Sequence, residues 1–99
     1  MDAMMRIVWL HKASAALDKE YDYIFSQNPQ AAKRVFERII ESTERLSTFP
    51  ESGRPGQITG TRELIVPGLP YIVVYRITGD KVQILRVFHT SQDWPQAFH

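Results

Sequence analysis

The feature that most constrains the fold is an Asn28-Pro29 joint between two stretches with apolar residues at helical spacing. From about Ala13 to Ser26, and again from Ala32 to Leu46, apolar side chains recur so that they share one side of a helix. Asparagine is a favoured N-cap, and proline at the first helical position lacks an N–H that would have no partner there anyway. The sequence therefore predicts two amphipathic helices with a tight joint, an α-hairpin.

Extended segments flank this hairpin. Arg6–His11 is rich in β-branched and aromatic residues and too short for a helix, which predicts a buried strand. Residues 51–57 are interrupted by glycine and proline, which predicts a loop. Gly79-Asp80 has the length of a two-residue hairpin turn between two of the three apolar stretches that follow, Glu63–Val66, Tyr71–Thr78 and Val82–His89. The order βααβββ predicts an α+β fold, a mainly antiparallel sheet with the α-hairpin packed on one face.

Composition favours one small cytoplasmic domain over residues 1–99, with residues 1–4 and 96–99 expected to be flexible ends. The chain contains no cysteine, so it has no disulfide, thiolate metal site or cysteine nucleophile. Its three histidines lack metal-ligand spacing, and we expect neither a metal nor another cofactor. No apolar run approaches the roughly 20 residues that span a bilayer, and no secretory signal is recognisable, so no membrane partner is expected.

The charge distribution indicates a modest basic patch. The net charge of the whole chain is +1. Between residues 54 and 89, however, five basic side chains face two acidic ones: Arg54, Arg62, Arg76, Lys81 and Arg86 against Glu63 and Asp80. Such a local surplus can form a surface that faces an anion, although it is far smaller than in most DNA-binding domains.

Seven short segments occur in an order and spacing that are specific together. They are Asn28-Pro29-x-Ala31-Ala32, Leu46-x-x-Phe49-Pro50, Gly53-Arg54-Pro55, Thr61-Arg62-Glu63-Leu64, Pro70–Arg76, Ile84–His89 and Asp93-Trp94-Pro95. This pattern, over residues 5 to 95, resembles the RelE/ParE family of bacterial toxins, the stable partners in type II toxin–antitoxin modules. The resemblance implies a cognate antitoxin as partner and a toxin–antitoxin hetero-oligomer. It leaves the target open, because RelE-like members cut messenger RNA, commonly in the ribosome, whereas ParE-like members poison DNA gyrase.

Candidate site residues follow from these two activities. Cleavage by a ribose 2′-OH needs acid–base groups and cations, and the resemblance points to Arg62, Arg86 and His89 as the catalytic set of an endoribonuclease, with Glu63 as a further base. Residues that could bind the target or nucleic acid are Arg54, Arg62, Arg86, Gln92 and Trp94. Many relatives resemble His-x-x-Arg-Asp-Trp near the end of the chain, but this sequence has glutamine at Gln92.

Strand alternation argues against a joint catalytic role for Arg86 and His89. Counted along a regular strand, Arg86 shares one face with Val82, Ile84 and Phe88, whereas His89 shares the other with Leu85 and Val87. In the alternative reading, His89 closes the strand and hydrogen-bonds the tail, and Arg86 pairs with Glu63. A ParE-like gyrase poison is therefore the preferred function. The alternatives are a RelE-like ribosome-dependent mRNA endoribonuclease and an inactive module that binds antitoxin and DNA.

Overall fold

A computed structural model of the chain describes residues 4–91. The elements within them are β1 (Arg6–Trp9), α1 (His11–Gln27), α2 (Pro29–Glu44), a 3-10 turn (Arg45–Ser47), β2 (Arg54–Pro55), β3 (Arg62–Ile65), β4 (Tyr71–Thr78) and β5 (Lys81–His89). The five strands form one sheet in the spatial order β1-β5-β4-β3-β2. The predicted α+β class and the mainly antiparallel sheet are confirmed, and the parallel exception is the pairing of β1 with β5.

Asn28 ends one helix and begins the next, as its position in the sequence predicts. Its backbone N–H donates to the Ile24 carbonyl at 2.7 Å, and its Oδ1 accepts from the Ala31 N–H at 3.1 Å. Pro29 occupies the start of α2. Because one residue serves both ends, the two helices fold back on each other and bury their apolar sides on the sheet, chiefly through Ala13, Leu17, Ala32, Ile39 and Leu46.

The sheet has two unlike sides. Tyr71, Val73 and Tyr75 of β4 belong to the main core beneath the helices. Ile72 and Val74 point the other way, into a smaller apolar cluster. Side chains of β4 therefore alternate between two sides of the sheet, which we call the helix-facing side and the outer face.

A β-bulge in β5 changes the alternation that a regular strand would have. Val74 of β4 pairs with Arg86, but the next pair joins Tyr75 to Ile84, so Leu85 is an extra residue on β5. Arg86 therefore lies on the outer face, opposite Val74. The prediction that Arg86 shares a face with Val82 and Ile84 is wrong, because it assumed an uninterrupted strand.

The segment at residues 51–57, predicted to be a loop, contains the short strand β2. Arg54 pairs with Glu63 and Pro55 with Arg62, in antiparallel register. The fold thus has one strand more than the predicted βααβββ order. Glycine and proline do weaken this segment locally, and the pairing depends on β3, which lies beside it.

Candidate target-binding face

The outer face of the sheet carries an apolar centre bordered by arginines. Ile72, Val74 and Phe88 are buried there, and Leu85 packs against them. The arginines Arg54, Arg76 and Arg86 lie around this centre and all are exposed. Because Ile72, Val74 and Phe88 are only 6%, 6% and 8% exposed, this apolar centre is covered, and the groups that the outer face presents to solvent are its arginines. Exposed cations are typical of a surface that binds an acidic partner.

Glu63 holds one of these arginines in place. The Arg54 Nε lies 2.9 Å from Glu63 Oε1, and the Gln57 N–H donates to Glu63 Oε2 at 3.2 Å. Glu63 is only 4% exposed, whereas the Arg54 side chain is 52% exposed. Both carboxylate oxygens are thus occupied, which satisfies a buried charge. The predicted pairing of Arg86 with Glu63 is wrong, because Arg54 takes that place from the neighbouring strand.

Arg86 stands two strands away from Glu63. Glu63 lies opposite Val74, and Val74 lies opposite Arg86. Two strand spacings, about 10 Å, therefore separate the backbones of Glu63 and Arg86. Arg86 forms no ion pair with any residue between 4 and 91. Its neighbour on the same face, Arg76, donates from Nε to Gln83 Oε1 at 2.6 Å. Arg86 is therefore an exposed cation without a carboxylate partner among the described residues.

Arg62, unlike Arg86, has a structural role. It lies opposite Tyr75, hence on the helix-facing side. Its Nη1 donates to the carbonyl of Gly53 at 2.7 Å and to that of Glu51 at 3.2 Å. The guanidinium thus fixes the segment that leads into β2. Arg62 and Arg86 do not meet on one face.

Tyr75 fixes the same segment from within the core. Its hydroxyl donates to the Pro50 carbonyl at 2.7 Å and accepts from the Gly53 N–H at 2.9 Å. Burial raises the pKa of Tyr75, an effect opposed by the hydrogen bond from Gly53 and by the nearby charge of Arg62. Any residue with a Cβ at Gly53 would place that atom 2.6 Å from the Tyr75 hydroxyl, so glycine is needed for this close approach.

His89 lies on the helix-facing side at the end of β5. It pairs with Tyr71 across the ladder, and the two rings meet edge to face with centroids 5.2 Å apart. Its Nδ1 accepts from the Ser91 N–H at 3.3 Å and lies 3.2 Å from Ser91 Oγ. These contacts match the reading in which His89 closes the strand. Because the bulge at Leu85 comes before Arg86, regular alternation between Arg86 and His89 keeps their side chains on opposite faces.

A groove of about 590 Å³ lies on the helix-facing side, between the end of α2 and β3, with Phe49, Pro50, Leu64 and Pro67 among its lining residues. Phe49 is 62% exposed, so the groove presents apolar surface to solvent. Ile65 is 51% exposed but lies on the outer face, opposite Ile72.

Comparison with known proteins shows to which family the chain belongs. Residues 7–94 match the family model described as the ParE toxin of the type II toxin–antitoxin system, parDE. The match spans both helices and all five strands. The chain belongs to the ParE toxin family.

Individual relatives agree with this assignment. The toxin is 47% identical over 92 residues to Y4kP of Sinorhizobium fredii, a protein named as a candidate toxin, with 93% of this chain and 95% of that protein covered. It is 33% identical over 89 residues to Toxin RelE2 of Caulobacter vibrioides, covering 90% of this chain and 99% of that one. Among solved structures it is similar to a chain of the chromosomal ParDE system of P. aeruginosa, with a TM-score of 0.81, 31% identity, and 89% and 98% of the two chains covered.

Two predicted site residues, Gln92 and Trp94, lie outside the described residues. Of the others, Arg54 and Arg86 both lie on the outer face of the toxin, whereas Arg62 and His89 lie on the helix-facing side. Arg76 was not among the candidate site residues, although it lies on the outer face with Ile72 and Val74. Within residues 4–91 no three His, Asp or Glu side chains are placed to hold a metal ion.

In the described part of the toxin, no helix has both the length and the apolar character needed to cross a bilayer.

Proposed function

We propose that the toxin arrests growth in the cytoplasm as a binding protein that poisons DNA gyrase, through contacts made by its outer face. Membership of the ParE family and the similarity to a ParDE structure favour this target over messenger RNA. The observation that carries the proposal is the outer face itself, where exposed Arg86 and Arg54 surround a buried apolar centre. Exposed cations favour binding to an acidic macromolecular surface and require no chemical step.

The arrangement of acid–base groups also supports a binding role. General acid–base catalysis needs a proton donor or acceptor within hydrogen-bond reach of the reacting atoms. On the outer face, Glu63 is engaged through both oxygens by Arg54 and Gln57. His89 belongs to the opposite side of the sheet. The nuclease set Arg62, Arg86 and His89 would therefore have to act from two faces.

A RelE-like endoribonuclease is the second candidate. The similarity to Toxin RelE2 favours it, and Arg86 is well placed to contact a phosphate because guanidinium groups bind phosphate oxygens in bidentate geometry. An inactive regulatory module is a third candidate, favoured by neither of these observations.

As a toxin of a type II toxin–antitoxin system, the chain has a cognate antitoxin as its partner. We propose that the antitoxin lies along the exposed sheet and the α-hairpin, and that the groove beside Phe49 and Leu64 receives apolar side chains from it. Covering the exposed Phe49 and Ile65 would remove apolar surface from water, which is the main favourable term in such association.

The experiment that tests the target compares replication with translation after induction of the toxin. A gyrase poison should halt DNA synthesis first, and purified toxin should inhibit supercoiling and leave gyrase-cleaved DNA. An endoribonuclease should halt protein synthesis first and cut ribosome-bound messenger. Arg86→Ala is the variant expected to lose the effect in whichever assay is positive. Early translation arrest with cleaved messenger would replace the gyrase proposal, and absence of both effects would favour the regulatory module.

A further inference from the structure

A second, smaller groove lies between α1 and the outer part of β5. Its volume is about 290 Å³, and it is lined by Lys12, Ala15, Ala16, Lys19 and Glu20 of α1 and by Arg86, Val87 and Phe88 of β5. It is therefore distant from the groove beside Phe49, which belongs to the β3 end of the sheet. The groove lies beside the part of β5 that no longer pairs with β1.

Strand β1 pairs with only the first half of β5. Their parallel pairing ends where Trp9 meets Ile84, after which the chain leaves the sheet and enters α1 at His11. Within the described residues, Leu85 to Val87 thus have no strand beside them on this side of β5. A strand edge of this kind offers backbone N–H and C=O groups to an extended peptide.

The walls of the groove are basic. Lys12, Lys19 and Arg86 carry positive charges against the single carboxylate of Glu20. That carboxylate is already engaged, because Tyr71 donates its hydroxyl hydrogen to Glu20 Oε1 at 2.9 Å. Lys12 and Lys19 are exposed, and seven residues along a helix separate them by about 10 Å. Three cations thus face one carboxylate, which leaves the groove with a surplus of positive charge.

The small residues of α1 determine what can enter. Between the two lysines stand Ala15 and Ala16, whose short side chains open the space between helix and strand. A segment that pairs with the edge of β5 lies about 4.8 Å from that strand and must be extended. An extended segment has side chains two or four positions apart on one face, at about 7 or 13 Å, within the reach of flexible lysines.

We propose that this groove binds an extended acidic segment of the cognate antitoxin, which pairs with the edge of β5 near Val87 and directs its carboxylates to Lys12, Lys19 and Arg86. The proposal rests on the antitoxin partnership and is independent of the toxin's target. The strand edge favours a peptide over nucleic acid, because a nucleic-acid backbone does not match the hydrogen-bonding pattern of a β-strand. Charge complementarity identifies the peptide as acidic.

The test measures the affinity of the full-length antitoxin encoded beside the toxin gene for folded toxin variants. Lys12→Glu with Lys19→Glu should weaken binding by about tenfold or more and reduce its salt dependence. The matched control is Lys33→Glu with Arg34→Glu on α2, which makes the same change in net charge at exposed positions outside the groove. The control should bind like the wild type within about twofold.

A second variant separates shape from charge. Ala15→Trp fills the groove and leaves the charges unchanged, and it should also weaken binding by about tenfold or more, since the obstructed segment loses its contacts together. Hydrogen exchange at Val87, whose N–H faces the uncovered edge of β5, should slow in the wild-type complex.

Equal affinities of both groove variants and the control would overturn the proposal, as would unchanged exchange at Val87. If the lysine variant lost affinity for RNA or DNA but kept its affinity for the antitoxin, the groove would be assigned to nucleic acid instead. A wild-type toxin that failed to bind the antitoxin would refute the partnership itself, whereas loss confined to the groove variants supports this site.

Discussion

Arg62 and Arg86 belong to the same sheet but have different roles, because their side chains lie on opposite faces. Arg62 donates to the carbonyls of Gly53 and Glu51, whereas Arg86 is exposed on the outer face. We expect Arg62→Ala to lower the free energy of unfolding by about 1–3 kcal/mol, because two carbonyl groups lose a charged donor. Arg86→Ala should change it by less than about 0.5 kcal/mol.

The two arginines should also differ in toxicity. Arg86→Ala should abolish growth arrest with an unchanged thermal melt, since only its surface charge is lost. Arg62→Ala should lose toxicity only in proportion to the unfolded fraction. Circular dichroism melts beside a growth assay distinguish them. Arg86→Ala cells that still arrest would remove Arg86 from the target-binding face.

His89 provides a test of the reaction type. His89→Gln keeps a hydrogen-bonding side chain near Ser91 but cannot shuttle a proton at neutral pH. We expect the variant to remain toxic, because a binding contact needs shape and hydrogen bonds and no proton transfer. An endoribonuclease that used His89 would instead lose about 10²–10⁴-fold in cleavage rate. A folded His89→Gln protein without toxicity, beside a wild type that cleaves messenger, would reverse the proposed function.

Tyr75 makes the stability of the toxin sensitive to alkali. Burial raises its pKa above the ordinary 10.0, so the folded state favours the neutral phenol. The stabilisation is complete below pH 10 and is lost as the pH rises through the folded-state pKa, because the unfolded phenol ionises first. Chemical denaturation between pH 9 and 11 should show this decline.

Variants at two tyrosines isolate the contribution of Tyr75. Tyr75→Phe should be less stable throughout, because the Pro50 carbonyl and the Gly53 N–H lose their partner, but its decline with pH should be shallower. Tyr23→Phe, at an exposed site on α1, is the control and should retain the wild-type decline. Parallel pH curves for Tyr75→Phe and the wild type would contradict this assignment.

At the scale of elements, the α-hairpin could be predicted because its signals are local. Apolar spacing and the Asn28 cap specify both helices within their own residues. The alternation of β4 was predictable for the same reason. The positions of Arg54 and Arg86 on one face were not, since they depend on pairing between strands that are distant in the sequence.

Two features show where that prediction stops. Strand β2 exists because Arg54 and Pro55 find β3 beside them, and no pattern within residues 51–57 announces it. The bulge at Leu85 is likewise a property of the ladder, and it separates Arg86 from the face of Val82 and Ile84 that it would share in a regular strand. Counting alternate residues thus separated Arg86 from His89 correctly and failed only across the bulge.

Asn28 gives a prediction at this scale. Its Oδ1 satisfies the Ala31 N–H at the start of α2, so Asn28→Ala should lower the free energy of unfolding by about 1 kcal/mol. Asn28→Asp keeps the acceptor and should come close to the wild type. Urea denaturation of the three proteins measures the difference. Equal stabilities of the alanine and aspartate variants would show that the cap contributes nothing to this joint.

For the whole molecule, the decisive equilibrium is binding of the antitoxin. A partner that binds only the folded toxin stabilises it by mass action, by about 2.7 kcal/mol at a free concentration of 100 Kd. For a domain of this size, that corresponds to a rise in Tm of about 10 °C or more. Thermal melts with the neighbouring open reading frame's product should show the shift, and an unrelated acidic protein should not. An unchanged Tm together with unchanged toxicity would contradict the partnership.

The parallel pairing of β1 with β5 has a consequence for how the toxin comes into existence. Arg6 is made well before Lys81, yet its place in the sheet is beside Lys81. A nascent chain therefore cannot complete the sheet until β5 has left the ribosome, and the outer face with Arg86 does not exist before then. Translation that stops before β5 leaves β1 without its partner strand and the toxin without the face that we propose binds its target.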